Sequence, residues 1–241
     1  MNKSVLSLLL AFCFFTNGLL AQDSTQDQAT VAADPFASLK EEMQVRWPKN
    51  RLIRFVFHGH SVPSGYTRAG VVRRYESYPM LFHKALCEKY DYATIDIAVP
   101  AIGGENAVRG AKRFKRDVLS LHPDVVFIDY SLNDRAVGLE RTEAAWRSMI
   151  EESHAANVPV VLLTPTPDSH EDILDESTIL AQHAQQVRDL AQEYKVPLVD
   201  SYAAFRDLVK AGNDINSYLS QPNHPNKKGN EVVAELIGQW F

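Results

Sequence analysis

An α/β fold organised around a doubly wound parallel sheet is what this sequence predicts, and three observations carry it. Short runs rich in apolar and β-branched residues recur at 52–58, 94–99, 125–130, 160–164 and 197–200. Most are nearly continuous in apolar character, as strands are when helices cover both faces of a sheet; a strand with one face in water would alternate. Longer amphipathic stretches at 77–90, 106–121, 141–156, 179–194 and 202–210 separate them, with a last one at 226–240. Strand and helix therefore alternate, the order that builds parallel sheets with right-handed crossovers.

Taken from the N-terminus, residues 1–21 read as an export signal. Lys3 supplies the positive charge, 5–15 an almost unbroken apolar stretch, and Leu19-Leu20-Ala21 a cleavage site. The apolar stretch is short for a bilayer span, and an uncleaved N-terminal anchor is the competing reading. Cys13 lies inside this segment, away from the cleavage point where a lipid-modified cysteine would stand. Cleavage leaves Cys87 as the single cysteine, so an exported domain is held by its core and not by an internal disulfide. Cys87 sits in the amphipathic pattern 80–87 and is expected to be a buried structural thiol. Residues 22–33 lack any periodic apolar face and read as a flexible leader. The division expected is signal 1–21, leader and domain entry 22–45, and one domain over 46–241, with packing beginning between Phe36 and Trp47.

A chain of 241 residues suits one domain after trimming, and 45% apolar residues suffice for one core. The net charge of −5 is spread along the chain, which argues against nucleic acid or an anionic membrane surface as partner and favours a neutral or small substrate. Neither a Gly-x-Gly-x-x-Gly nor a Gly-Lys-Ser/Thr loop follows the first strand, so the usual phosphate-cradling signals of this architecture are missing.

In doubly wound sheets functional residues gather beyond the C-terminal ends of the strands, where strand order reverses. The segments there are His58-Gly59-His60-Ser61, Ile102-Gly103-Gly104-Glu105, Ser131-Leu132-Asn133-Asp134 and Pro165-Thr166-Pro167-Asp168. Ser61, between Gly59 and Gly65, can sit on a tight turn with its hydroxyl exposed. A serine hydroxyl needs a base, and His224 is the best candidate, in a loop stiffened by Pro222 and Pro225 before the terminal helix. Acyl transfer also needs donors for the oxyanion, and the Ser61 N–H, the Gly104 N–H and the Asn133 amide can converge as three.

Gly59-His60-Ser61, Gly104, Ser131-Leu132-Asn133-Asp134 and Asn223-His224-Pro225-Asn226 resemble, in order and approximate spacing, the blocks of the SGNH (GDSL-like lipase/acylhydrolase) family. The resemblance covers about residues 51–241. It implies a flavodoxin-like five-stranded parallel sheet with helices on both faces, and ester hydrolysis with Ser61 as nucleophile and His224 as base. Ser61, Gly104 and Asn133 would form the oxyanion hole. Three positions depart from the pattern. His60 stands where an Asp is usual before the serine, Ser131 where a Gly is usual two residues before the asparagine, and Gln221 where an Asp is usual three residues before the histidine. Without that carboxylate the expectation is a Ser-His dyad whose imidazole is oriented either by the Gln221 carbonyl or by another acceptor such as a backbone carbonyl. Gln221, His60 and Asp134 are the candidates for orienting the site or contacting substrate.

The function expected is an exported carbohydrate esterase, periplasmic or extracellular, acting on small-molecule or polysaccharide esters. Short acyl groups such as carbohydrate-linked acetate are favoured over long-chain lipid, since no long apolar lid segment is present. No metal or organic cofactor is required, and no membrane span is expected after cleavage. Oligomeric state is not legible. One rival is a degenerate member that binds glycan without turnover, motivated by Gln221, His60 and Ser131. The other is a metal-dependent hydrolase using His58 and His60, opposed by the helical or connecting positions of most remaining histidines. His170 and Asp168 are read as contacting either substrate or solvent, and Asp129 and Asp200 as structural acceptors.

Overall fold

A computed structural model describes residues 34–241. The segments read as export signal and leader, residues 1–33 with Cys13 among them, lie outside the described residues. The chain enters through α1 (Ala37–Glu42), flanked by the buried Phe36 and Met43, so packing begins at Phe36. It then runs through β1 (Leu52–Gly59), α2 (Ser61–Ser64), α3 (Tyr78–Lys89), β2 (Thr94–Ala98), α4 (Ala107–Ala111), α5 (Phe114–Asp117) and β3 (Val125–Asp129). The second half comprises α6 (Ser131–Asp134), α7 (Leu139–Ala155), β4 (Val160–Leu163), α8 (Ile179–Tyr194), β5 (Leu198–Val199) and α9 (Ser201–Lys210). A hairpin of β6 (Leu219–Gln221) and β7 (His224–Pro225) precedes α10 (Lys227–Gly238).

The five main strands are parallel in the order β2-β1-β3-β4-β5. Register follows the apolar runs, with Phe55 opposite Val125, Phe57 opposite Phe127 and Leu162 opposite Leu198. Side chains alternate across the sheet, which divides the core into two layers. On one face Ile53, Phe55, Phe57, Phe127, Val161 and Val199 meet Phe82, Val233, Ile237 and Phe241. On the other, Val56, Val126, Ile128 and Leu162 meet Phe114, Trp146, Met149 and Val187. Phe57 and Phe127 stack at 4.3 Å between ring centroids across β1 and β3. Burial of each such side chain stabilises by about 1.5–3 kcal/mol, and two covered faces explain why the strands read as unbroken apolar runs. No described helix is long and apolar enough to cross a membrane.

Two local expectations differ from the structure. The stretch 106–121 forms α4, α5 and a 3-10 turn at Leu119–Leu121 instead of one helix. At the first break Arg113 leaves helical geometry (φ −114°, ψ 2°) and directs its guanidinium inward to a buried carboxylate. Cys87 is exposed, not buried. Helix α3 turns Tyr78, Pro79, Phe82 and Leu86 inward, and a residue one step past Leu86 lies about 100° further round the helix.

Because the sheet order reverses between β1 and β3, the loops leaving their C-terminal ends diverge to opposite sides and open a crevice. Ser61 follows β1 and Asn133 follows β3, so both border it.

Candidate active site

The turn carrying Ser61 is set by its neighbours. A Cβ on Gly59 would lie 2.4 Å from the Asp129 carbonyl oxygen, so only glycine lets β1 approach β3 this closely. His60 then caps α2, its Nδ1 accepting from the Val62 N–H at 3.2 Å, while its Nε2–H points to Asp129 Oδ1 at 3.2 Å. Asp129 also accepts from the Tyr78 hydroxyl at 2.9 Å. The Ser64 hydroxyl lies 3.0 Å from both the His60 and Ala101 carbonyls, tying α2 to the loop after β2. Ser61 is nearly buried, at 8% exposure.

Facing it is the loop after β2. The Ile102 N–H donates to the Gly59 carbonyl at 3.0 Å, and the Glu105 N–H closes a turn onto Ile102 at 3.1 Å. Gly104 occupies that turn at φ +73°, which a side chain would strain. Its N–H has no acceptor among the described residues and stays available to an oxyanion. Asn133 donates one amide hydrogen to the Glu105 carbonyl at 2.9 Å, which orients the amide and leaves its second hydrogen free.

Beneath this loop lies a buried polar cluster. Arg113 Nε lies 3.0 and 2.9 Å from the two Glu105 carboxylate oxygens, and its Nη2 pairs with the same group. The Tyr130 hydroxyl donates to Glu105 Oε2 at 2.9 Å and lies 3.0 Å from His58 Nε2, which also lies 3.2 Å from the Gly110 carbonyl. Burial, with the nearby Arg113 charge, holds His58 down to a pKa of about 4, so it is neutral and can donate from Nε2. The cluster clamps the Gly104-Glu105 segment at a fixed height above the sheet.

His224 comes from the β6–β7 hairpin, where Gln221 pairs with it across the turn. The Ser169 N–H donates to the Pro222 carbonyl at 2.8 Å, and Asn226 caps α10 through the Gly229 N–H at 3.1 Å, so the loop is held from both sides. His224 Nε2 lies 2.7 Å from Ser61 Oγ. Its Nδ1 lies 2.7 Å from Asn223 Oδ1 and 2.6 Å from Gln221 Nε2. Burial, reinforced by His60 and opposed by Asp168, lowers its pKa to about 4. The imidazole is thus neutral near pH 7, the state a general base must have.

Ser61, Gln221 and His224 are brought into one hydrogen-bonded chain, and Asn133 to the Gly104-Glu105 loop, which the Ile102 N–H ties to the turn before Ser61. Two other candidates are not. Asp134 is fully buried, accepting from the Ala107 N–H at 2.7 Å and the Trp146 indole at 2.8 Å; it ties α4 to α7 and cannot touch substrate. Burial raises its pKa to about 6. His60 is likewise fully buried behind Ser61 and shapes the turn from below. His58 and His60 have separate partners in the two core layers, and among the described residues no group of three His, Cys, Asp or Glu side chains is placed to hold a metal ion. Asp168 is buried against Arg135 at 2.8 Å, while His170 projects outward. Asp129 and Asp200 act as structural acceptors, Asp200 for Arg188 and the Ala203 N–H. Ser131 is buried with no partner for its hydroxyl among the described residues.

Asn223 and the Arg113-Tyr130 support were missed by sequence reasoning. Asn223 adjoins the histidine, and an amide with an accepting oxygen was the available signal. The support has no local signal beyond Glu105 following Gly104, because its members are scattered over 58–130.

The profile of the GDSL-like lipase/acylhydrolase family matches residues 57–232. An acetylxylan esterase from Geobacillus stearothermophilus is 28% identical over 118 residues, 44% of this chain and 54% of that protein. The matched part thus spans about half the length of that curated relative. Among solved structures, Axe2, an acetylxylan esterase from Geobacillus stearothermophilus, is similar with a TM-score of 0.67 at 21% identity, covering 78% of this chain and 93% of that one. A two-domain esterase active on acetylated mannans is similar with a TM-score of 0.66 at 19% identity, covering 84% of this chain and 50% of that one. These structural likenesses speak to the fold, while the profile match takes in well over half of the chain, and on that match the chain belongs to the GDSL-like lipase/acylhydrolase family.

Proposed function

We propose that this protein is an exported serine esterase that removes short acyl groups, acetate on carbohydrate in particular, through an acyl-enzyme on Ser61. The observation that carries the reading is the 2.7 Å contact between Ser61 Oγ and His224 Nε2, with the Gly104 N–H unengaged among the described residues and the Asn133 amide half-engaged on the same loop. His224 takes the hydroxyl proton as Ser61 attacks the ester carbonyl. The negative charge that develops on the carbonyl oxygen meets the N–H groups of Ser61 and Gly104 and the free amide hydrogen of Asn133. His224 then protonates the departing alcohol, and water repeats the sequence on the acyl group to release acid and restore Ser61.

Carbohydrate as the alcohol is supported by the relatives that act on acetylated xylan and mannan, and by Tyr66. The Tyr66 N–H donates to the Ser61 carbonyl at 3.1 Å, and its ring packs on Gly103 while staying 37% exposed. An exposed ring with a polar tip beside the reacting serine suits the apolar face of a sugar. Export rests on the 1–21 segment and leaves periplasm and exterior equally open.

The test is labelling by a fluorophosphonate probe together with acetate release from acetylated xylan and mannan oligosaccharides. Labelling and release that are both lost in a folded Ser61→Ala variant are expected. A wild-type protein that binds these glycans yet neither labels nor releases acetate would instead establish the non-hydrolytic reading that Gln221 motivates.

A further inference from the structure

Nδ1 of His224 faces two neutral amides and no carboxylate, which poses a tautomer problem. A general base needs its lone pair on Nε2, toward Ser61, and therefore its proton on Nδ1. In that tautomer Nδ1–H donates to Asn223 Oδ1 at 2.7 Å and confronts the Gln221 amide N–H at 2.6 Å. In the other tautomer the bare Nδ1 accepts from Gln221 and confronts the Asn223 oxygen, while Nε2–H is spent on Ser61. In this orientation of the amides each tautomer has one favourable and one opposed contact, so the two side chains favour opposite protonation states of Nδ1.

We propose that Asn223 is the positioning residue of this site, its side-chain oxygen holding His224 in the tautomer that can deprotonate Ser61, with Gln221 favouring the unproductive one. The inference rests on the reading of Ser61 and His224 as the reacting pair. The charged groups around His224 do not take over the role. Asp168 offers attraction from the β4 loop but is committed to Arg135 at 2.8 Å and to the His170 N–H at 3.0 Å. His60, from below, is committed to Asp129 and the Val62 N–H. Asn223 shares a peptide bond with the residue it orients and the hairpin holds both, so its oxygen reaches Nδ1 at little entropic cost.

The experiment is ¹⁵N spectroscopy of histidine-labelled full-length protein, with the His224 signal assigned by its loss in His224→Ala, alongside kcat and KM on p-nitrophenyl acetate. Wild type should show Nδ1–H at His224. Asn223→Ala should shift the signal toward Nε2–H and lower kcat by roughly 10- to 100-fold with KM little changed. Asn223→Asp keeps an acceptor and should restore both the signal and the rate, with its pH midpoint raised from about 4. Gln221→Ala should increase the Nδ1–H population. If Asn223→Ala leaves the signal in place and Gln221→Ala moves it to Nε2–H, Gln221 is the orienting group and the proposal is overturned. Should Asn223→Ala fail to fold, failure of Asn223→Asp to retain the Nδ1–H signal overturns it equally. The spectrum needs no turnover, so an inactive wild-type protein would defeat the esterase reading and leave the tautomer question answered separately.

Discussion

Removing Arg113 tests whether the Gly104-Glu105 loop is held by the buried cluster beneath it. Glu105 is 2% exposed, and Arg113 supplies its only cationic partner among the described residues, through Nε at 2.9–3.0 Å and through Nη2. In Arg113→Leu the carboxylate keeps a single donor, the Tyr130 hydroxyl at 2.9 Å. Breaking a buried pair from one side costs about 3–5 kcal/mol, because the remaining charge stays desolvated. For a domain of this size each kcal/mol lowers Tm by about 2–4 °C, so the loss should be roughly 6–20 °C by scanning calorimetry. The Glu105 carbonyl orients Asn133 and Gly104 immediately precedes it, so a displaced loop should also lower kcat on p-nitrophenyl acetate by roughly 10- to 100-fold. In Glu105→Leu/Arg113→Leu the stranded charge is gone, and most of the lost stability should return while kcat stays low. A single variant within 1 kcal/mol of wild type, about the level of a surface pair, would refute this account. So would a double variant no more stable than the single one.

Two further outcomes follow from the site. His58 is held neutral with a pKa near 4 against an ordinary 6.5, so below pH 6.5 the unfolded chain binds a proton that the native one refuses. Its stabilising contribution is complete above pH 6.5 and falls by about 3 kcal/mol by pH 4, offset by about 2 kcal/mol from Asp134, whose raised pKa of about 6 acts in the opposite sense. Urea unfolding of His58→Gln should therefore lose about 3 kcal/mol less than wild type between pH 7 and 4, and parallel pH profiles would contradict it. Asn133→Ala removes the side-chain donor proposed for the oxyanion and should lower kcat by about 10²–10³ with KM little changed; a loss confined to KM would place Asn133 in substrate binding instead.

Much of the architecture was legible because it depends on which residues must be dry. Strands covered on both faces have to be apolar throughout, and helices covered on one have to be amphipathic, so the alternation shows in the chain itself. The placement of Ser61, Gly104, Asn133 and His224 at element ends was readable for the same reason, since loops break the periodicity around them. Where side chains compete, reading from sequence failed. The 106–121 helix gives way at Arg113 because a buried carboxylate eight residues earlier captures the guanidinium. Asp134, in the loop motif that suggested substrate contact, is drawn inward by the Ala107 N–H and the Trp146 indole.

What the sequence determined by itself is an inventory: a covered parallel sheet, a serine on a glycine turn after its first strand, and a proline-stiffened histidine before the last helix. Only the tertiary structure decided that Ser61 and His224 meet at 2.7 Å, and that Nδ1 of that imidazole faces the Asn223 and Gln221 amides. The reason is physical. Apolar burial is tolerant and periodic, and a one-dimensional pattern encodes it. A hydrogen bond fails within about half an ångström of misplacement, and its geometry exists only once every element has packed.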